Sequence, residues 1–215
     1  MNSNELVEHL RRHKIVAIFR GTAEDRADLA ARALLEGGIS LMEVTMNTEG
    51  ALRIIDRWRE TLPGQAVIGA GTVLDLQMAR EAATAGASFL VSPNLDEEVV
   101  AFGAEQGIGV IPGVMTPTEI VRAWKAGAAA VKVFPMGALG WRYLKEIRAP
   151  LNHIPMMATG GIDLTNIADY FRAGAAAVGL GGNLISQALI EQGEYDRLTE
   201  LARQYMQAAN GAGSP

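Results

Sequence analysis

The sequence contains no cysteine among its 215 residues, and this absence removes several classes of functional site. Disulfide bridges, thiolate nucleophiles and cysteine-ligated zinc are excluded. The three histidines offer no replacement, because His9 and His13 precede the first expected strand and His153 lies far along the chain, before the seventh. We therefore expect neither a metal ion nor an organic cofactor, and no serine–histidine catalysis.

Long charged blocks and long apolar runs are also missing. The net charge of −5 arises from 24 acidic and 19 basic residues that are interspersed, so nucleic acid and anionic membranes find no matching surface. No apolar run approaches the roughly 18 residues that a membrane-spanning helix requires. The first residues lack the basic and apolar regions of a secretory signal. We expect a cytoplasmic protein that acts on a small soluble molecule.

A helix end, a glycine and a short apolar strand recur along the chain. The sequence AGAAAV at 126–131, for example, is repeated letter for letter at 173–178. Glycine is favoured there because helices often end in a left-handed residue, a conformation that glycine adopts without steric cost. Eight strands are predicted in this way, near residues 15–19, 40–44, 66–69, 88–91, 108–111, 129–133, 155–158 and 176–179.

Eight strand–helix units in a chain of this length predict a single (β/α)8 TIM barrel over residues 1–209. The competing architecture, an open doubly wound sheet, requires a Gly-x-Gly-x-x-Gly turn after the first strand, and the sequence has none there. An amphipathic helix over 4–13 is expected to close the barrel floor, and a helix over 194–209 to complete the fold. Residues 210–215 are typical of a flexible tail.

Lys132 lies within an otherwise apolar strand, where a charged ammonium is costly. Burial lowers the pKa of a lysine, and the neutral amine is a nucleophile toward carbonyl groups. The alternative is a lysine near the end of a strand that reaches water or pairs with a carboxylate. Glu43 is a second charge in an apolar strand. It is either the counter-ion of Lys132 or the group that moves protons for a Schiff base on that lysine.

In a TIM barrel the reacting groups gather where strands end and the loops to the helices begin. Two glycine pairs and an asparagine follow the seventh and eighth strands: Gly160, Gly161, Gly181, Gly182 and Asn183. Loops at these places often hold phosphate, because glycine lets an anion approach the backbone N–H groups closely. Asn183 is also placed to cap the helix that follows. We expect these loops to bind a phosphate or a similar anion.

Seven short motifs follow one another in a distinctive order: EVT (43–45), IGAGTV (68–73), VSP (91–93), IPGVMTP (111–117), KVFP (132–135), TGGI (159–162) and GEYDR (193–197). Together they resemble the bacterial 2-keto-3-deoxy-6-phosphogluconate (KDPG) aldolases, also described as 4-hydroxy-2-oxoglutarate (KHG) aldolases. The resemblance extends over about residues 5–207. Single motifs of this length are weak signals, but their shared order and spacing are specific.

The resemblance implies a metal-independent, homotrimeric class I aldolase that cleaves KDPG, or its C4 epimer, to pyruvate and glyceraldehyde 3-phosphate. Lys132 would form a Schiff base with the C2 ketone of this 2-keto acid, and Glu43 would move the protons. The other substrate-binding residues expected on this basis are Arg20, Thr45, Asn47, Gly71, Thr72, Pro93, Phe134 and Thr159. Among them, Thr72 would hold the carboxylate and Thr159 would contact the C4 hydroxyl region.

Asn47 departs from the gluconate-type pattern, in which an arginine at this place clamps the carboxylate. Asn47 and Arg20 are similar to the galactonate-type enzymes, whereas Thr159 is similar to the gluconate type, so both C4 epimers stay open as substrates. We expect Arg20 to supply the missing positive charge. Two alternatives remain: an aldolase for unphosphorylated 4-hydroxy-2-oxo acids such as 4-hydroxy-2-oxoglutarate, and a noncatalytic barrel that binds a phosphosugar.

Overall fold

Parallel strands alternate with helices in the computed structural model, which describes residues 1–212. The strands are β1 (Ile15–Phe19), β2 (Leu41–Thr45), β3 (Val67–Gly71), β4 (Phe89–Val91), β5 (Gly109–Ile111), β6 (Gly113–Val114), β7 (Val131–Val133), β8 (Met156–Thr159) and β9 (Ala177–Leu180). Neighbouring strands are parallel, in the order β5-β4-β3-β2-β1-β9-β8-β7-β6. The predicted TIM barrel is confirmed.

β5 matches the fifth predicted strand, and a further short segment, β6, follows it after Pro112, which explains why nine segments form an eight-stranded barrel. Proline has no N–H to donate to a neighbouring strand. β5 before it pairs with β4, whereas β6 after it pairs with β7. The carbonyl of Pro112 still accepts a hydrogen bond of 2.8 Å from the backbone N–H of Lys132. β5 and β6 therefore act as one strand that closes the ring between β4 and β7.

Helices cover the outside of the barrel and its floor. They are α1 (Ser3–His13), α2 (Glu24–Glu36), α3 (Ala51–Thr61), α4 (Leu76–Thr84), α5 (Glu97–Gln106), α6 (Pro117–Lys125), α7 (Met136–Arg148), α8 (Ile167–Arg172), α9 (Gln187–Glu191) and α10 (Tyr195–Gly211). Within residues 1–212, none of them combines the length and the apolar character that crossing a bilayer would need.

The first helix closes the barrel floor, as predicted. Leu6 and Leu10 of α1 are fully buried among the apolar side chains of the barrel interior. Gly109 makes room for this contact, since a Cβ there would lie 2.6 Å from the side chain of Leu6. The apolar stripe of α1 is thus inserted between the strands and seals this end of the barrel.

The last helix runs further than predicted. α10 continues through Asn210 and Gly211, which the sequence analysis had placed in a flexible tail. The last turns are held against the barrel, because Ala209 is buried and its carbonyl accepts a 3.1 Å hydrogen bond from Nζ of Lys14. Residues 213–215 of the predicted tail lie outside the described residues.

Side chains inside the barrel change from apolar to polar between the floor and the opposite end. Alternate residues of a strand face the same side of a sheet. On β2 the floor position is Leu41 and the next inward position is Glu43. On β8 Met157 is followed in the same way by Thr159, and on β7 the inward position is Lys132. The barrel therefore collects its buried polar groups toward the carboxyl ends of the strands.

Candidate active site

A cavity of about 370 Å³ opens at the carboxyl ends of β1, β7, β8 and β9. Nine of the residues predicted for the site lie in its walls: Arg20, Lys132, Phe134, Thr159, Gly160, Gly161, Gly181, Gly182 and Asn183. Four further residues of the walls were not predicted: Ile18, Ile162, Gly179 and Leu180. The two glycine loops and the unusual lysine thus share one space, as the barrel topology led us to expect.

Lys132 is only 3% exposed, so it does not reach bulk water from the strand end. Its Nζ lies 5.4 Å from the centroid of the ring of Phe134, which follows the end of β7. Burial lowers the pKa of Lys132, the carboxyl of Glu43 opposes this shift, and the guanidinium of Arg20 adds to it. The surroundings therefore favour the neutral, nucleophilic amine.

Glu43 is fully buried, and neither of its carboxyl oxygens has a hydrogen-bond partner. Burial raises the pKa of Glu43, while Lys132 and Arg20 oppose this shift. The two groups influence each other, but no ion pair joins Glu43 to Lys132. A pair kept only for stability would be expected to make that contact. The geometry favours a proton-transfer group over a simple counter-ion.

Gly71 leaves the space that the carboxyl group of Glu43 occupies. A Cβ at Gly71 would lie 2.4 Å from Oε1 of Glu43, too close for any side chain to coexist with this carboxyl position. Gly179 does the same for Thr159, since a Cβ at Gly179 would lie 2.6 Å from the threonine Oγ1. The hydroxyl of Thr159 is itself buried without a partner.

These contacts place Gly71 beside Glu43 and Gly179 in the wall of the cavity. Gly71 was predicted to bind substrate; the structure places it outside the cavity lining and beside the carboxyl group of Glu43. Gly179 was missed by the sequence analysis. A glycine within a strand often marks a close approach from a neighbouring group, and that signal was present at this position.

Thr45 and Asn47 do not line the cavity, although both were predicted to bind substrate. Thr45 is fully buried, and its Oγ1 lies 2.9 Å from Oγ1 of Thr48. The Thr48 oxygen in turn accepts a 3.0 Å hydrogen bond from the backbone N–H of Gly21. The Thr45 hydroxyl is therefore engaged in joining the loops after β1 and β2. Asn47 lies in the exposed turn after β2.

Thr72 has a φ of 57°, in the left-handed region that a β-branched residue rarely adopts. Such a conformation costs about 1–3 kcal/mol, and residues of this kind cluster at functional sites. Thr72 directly follows Gly71 but does not line the cavity. Pro93 lines an adjoining pocket, of which Phe134 forms a shared wall. These two predicted substrate contacts lie beside the cavity.

Asn183 joins the two glycine loops and does not cap a helix as predicted. Its Nδ2 donates a 2.8 Å hydrogen bond to the carbonyl of Ile162, in the loop after β8. The helix that follows, α9, is capped by Ser186, whose hydroxyl accepts from the backbone N–H of Leu189. Two residues separate Asn183 from Ser186, so Asn183 contacts the other loop before the helix begins.

Comparison with known proteins identifies the family. The family model described as KDPG and KHG aldolase matches residues 6–201. The chain belongs to this aldolase family. The 2-dehydro-3-deoxy-phosphogluconate aldolase of Treponema pallidum is 37% identical over 94% of this chain and 95% of its own length.

Other members of the aldolase family are nearly as similar. A probable 2-dehydro-3-deoxy-6-phosphogalactonate aldolase of Rhizobium meliloti is 36% identical over 79% of this chain and 81% of its own length. The KDPG aldolase of Legionella pneumophila, solved with pyruvate captured as a covalent carbinolamine intermediate, is 29% identical with a TM-score of 0.85. That alignment covers 92% of this chain and 96% of the other. Family members named for both C4 epimers are thus similar to this chain.

Proposed function

We propose that this chain is a class I aldolase that cleaves KDPG, or its C4 epimer, to pyruvate and glyceraldehyde 3-phosphate. The observation that carries the proposal is the placement of Lys132 and Glu43. Both are buried at one end of the barrel, each affects the pKa of the other, and no ion pair joins them. Membership of the aldolase family supports the same reaction.

In the proposed reaction the neutral Nζ of Lys132 attacks the C2 ketone and forms a carbinolamine, which loses water to give an iminium ion. Ionised Glu43 then takes the proton of the C4 hydroxyl. The C3–C4 bond breaks, its electrons pass to the iminium as an enamine, and the aldehyde leaves. Protonation at C3 and hydrolysis release pyruvate and restore the free amine. A glutamate whose pKa is raised by burial suits this work, because its carboxylate is a stronger base than that of an exposed glutamate.

The walls of the cavity can hold the rest of the substrate. Oγ1 of Thr159 is buried and without a partner, so the C4 hydroxyl of the substrate would give it one. Arg20 lines the same cavity and supplies a positive charge there for the substrate carboxylate. The glycine loops after β8 and β9 would bind the phosphate group through backbone N–H groups.

A pyruvate-release assay tests this function directly. The substrates are KDPG, its C4 epimer and 4-hydroxy-2-oxoglutarate, and a Lys132→Met protein prepared in the same way measures contaminating activity. We expect pyruvate from at least one phosphorylated epimer. Its kcat/KM should exceed that for 4-hydroxy-2-oxoglutarate by about a hundredfold or more, because the unphosphorylated acid cannot make the charged hydrogen bonds of the phosphate group. Binding of the phosphorylated acids without pyruvate release would contradict the proposal and favour the noncatalytic barrel.

Preference for 4-hydroxy-2-oxoglutarate is the second candidate function, because the matching family model also bears that substrate's name. It keeps the chemistry of Lys132 and Glu43 and removes the need for a phosphate site. Equal kcat/KM values with and without the phosphate group would favour it and would overturn the role given to the two glycine loops.

We also propose that the active form is a homotrimer, as the resemblance implies. Five large apolar side chains are exposed on the single chain and would be available for contacts between subunits: Leu29, Leu74, Met115, Trp124 and Leu164. Light scattering on the purified protein tests the proposal. A mass three times the chain mass of 22.9 kDa is expected, and the mass of a single chain would contradict it.

A further inference from the structure

A second cavity, of about 230 Å³, lies at the amino ends of the strands, opposite the candidate active site. We call it the floor pocket. Its lining residues precede β1, β8 and β9 or belong to the helix ends beside them: Arg11, Lys14, Arg148, Asn152, Ile154, Pro155, Phe171, Gly174, Ala175 and Ala176. Three of these side chains are cationic, and no carboxylate is among them.

The three cations of the floor pocket lack ion-pair partners among the described residues. Within residues 1–212, none of Arg11, Lys14 and Arg148 takes part in an ion pair. Lys14 is held in place by its hydrogen bond to the carbonyl of Ala209, and its Nζ lies 5.6 Å from the centroid of the Phe171 ring. The neutral amide of Asn152 adds a further hydrogen-bond donor to the pocket wall.

A comparison within the molecule shows that the unpaired state of Arg148 is not dictated by its location. Arg148 packs over Gly174, where a Cβ would lie 2.6 Å from its Nη1. Arg59 packs over Gly86, a glycine with almost the same φ at the end of another helix. The guanidinium of Arg59, however, pairs with Asp56 at 2.8 Å. The arginine is therefore paired with an acid beside Gly86 and has no ion-pair partner beside Gly174, in the floor pocket.

Helix ends explain part of this charge. Arg11 and Arg148 lie in the last turns of α1 and α7, where a cation is stabilised by the partial negative charge of the helix terminus. That role requires one cation at each helix end, and it does not require several cations to line one cavity that lacks an acid. Cations gathered in this way repel one another, and a bound anion would relieve the repulsion.

We propose that the floor pocket binds a doubly charged oxyanion, namely a phosphate group, free or esterified. The guanidinium of Arg148 offers the planar donor pair that fits phosphate, and Lys14 and Arg11 add charge. The site is separate from the one that would hold the substrate phosphate, because the two cavities open at opposite ends of the barrel. The proposal therefore stands whether or not the proposed aldolase activity is found.

Amide NMR during a titration with inorganic phosphate can observe both ends of the barrel at once. The signals of Gly174 and Ala176 report on the floor pocket, and those of Gly181 and Gly182 report on the candidate active site. A parallel titration with sodium chloride at matched ionic strength removes general salt effects. We expect phosphate, but not chloride, to shift the Gly174 and Ala176 signals in a saturable way.

Substitutions then assign these shifts to the cations. Arg148→Gln is expected to weaken phosphate binding at the floor by about tenfold, because one charged hydrogen-bonding group is lost. Arg11→Gln, at an exposed side chain, serves as a second variant with a smaller expected loss in the same direction. Arg59→Gln is the matched control, since it removes the equivalent arginine from Gly86 and should leave floor binding unchanged.

Two outcomes would overturn the proposal. The first is that the floor signals do not move with phosphate while the spectrum shows a folded protein. The second is that they move equally in the wild-type protein and in both Arg148→Gln and Arg11→Gln. A titration with glycerol 3-phosphate identifies the source of the group: saturation at lower concentration than with inorganic phosphate indicates a phosphate ester, and the reverse indicates the free ion.

Discussion

The two ends of the barrel interior differ in the kind of side chain that is buried there. At the floor, Leu6 and Leu10 of α1 fill the space between apolar strand residues. At the carboxyl ends of the strands, Lys132, Glu43 and Thr159 are equally buried, yet the Glu43 and Thr159 oxygens lack hydrogen-bond partners. The floor has one such atom, Nδ1 of His9 on α1, whereas three of these atoms lie on Glu43 and Thr159 at the other end, where they cost stability.

This difference indicates where substitutions should affect activity and where they should affect folding. Apolar burial contributes favourable free energy to the fold, whereas a buried polar group without a partner is retained when it does chemistry. Substitutions at the floor should therefore lower stability and spare turnover. Substitutions among the polar groups should lower turnover and spare stability, or even raise it.

Loss of the Lys132 amine should have the largest effect. Lys132→Met keeps a long, apolar side chain in the buried strand but cannot form a Schiff base, so kcat is expected to fall by about 10⁴-fold or more. The pyruvate-release assay measures this effect. Lys125→Met on the exposed end of α6 is the control and should leave kcat unchanged. A Lys132→Met protein with more than a few per cent of wild-type kcat would refute the catalytic role.

Leu6→Ala tests the floor of the barrel, opposite the candidate active site. The substitution leaves a cavity in the floor, and the free energy of unfolding is expected to fall by about 2–5 kcal/mol. Urea denaturation measures this change, and kcat of the folded variant should stay within about twofold of wild type because Leu6 lies far from the substrate. A selective loss of kcat in the folded protein would show that the floor is not separate from the chemistry.

Gly71→Ala probes the contact that positions Glu43. The added Cβ would lie 2.4 Å from Oε1, so the carboxyl group must move. A displacement of about 1 Å at a reacting group can lower kcat about 100-fold, and we expect an effect of this size. Gly211→Ala, with open space around its Cβ, is the matched control. Unchanged kcat in Gly71→Ala would remove the positioning role.

The barrel itself could be predicted from the sequence because its signals are local. Glycine after each helix and the short apolar strands placed β2, β8 and β9 within one residue of their observed bounds. The short segment β6 after Pro112 was not predicted, because its pairing with β7 depends on the folded barrel.

The candidate site was predicted in part. Lys132 and Glu43 could be found because a charge within an apolar strand is visible in the sequence, and the glycine pairs because loop position follows from topology. The clearance that Gly71 gives to Glu43 could not be found, because it depends on a distance between neighbouring strands. The contact of Asn183 with the loop after β8 and the gathering of cations in the floor pocket likewise depend on the folded chain.

The smallest expected effects are shifts in the pH at which Lys132 reacts. The Glu43 carboxylate raises the pKa of Lys132 and the Arg20 guanidinium lowers it. In Glu43→Gln the midpoint for Schiff-base formation with pyruvate should therefore move to lower pH, and in Arg20→Gln to higher pH. Rates of borohydride trapping against pH measure both shifts. Shifts of the same sign in the two variants would contradict the electrostatic account of the site.

Borohydride trapping of pyruvate on the wild-type protein tests the central claim most directly, when its pH dependence is combined with peptide mass analysis. A buried amine whose pKa is lowered loses its proton at a lower pH than a solvated lysine. We predict a single adduct on Lys132 with a trapping midpoint well below about 10.4, the ordinary lysine pKa. An adduct on another residue, or a midpoint at the value of a solvated lysine, would contradict the account.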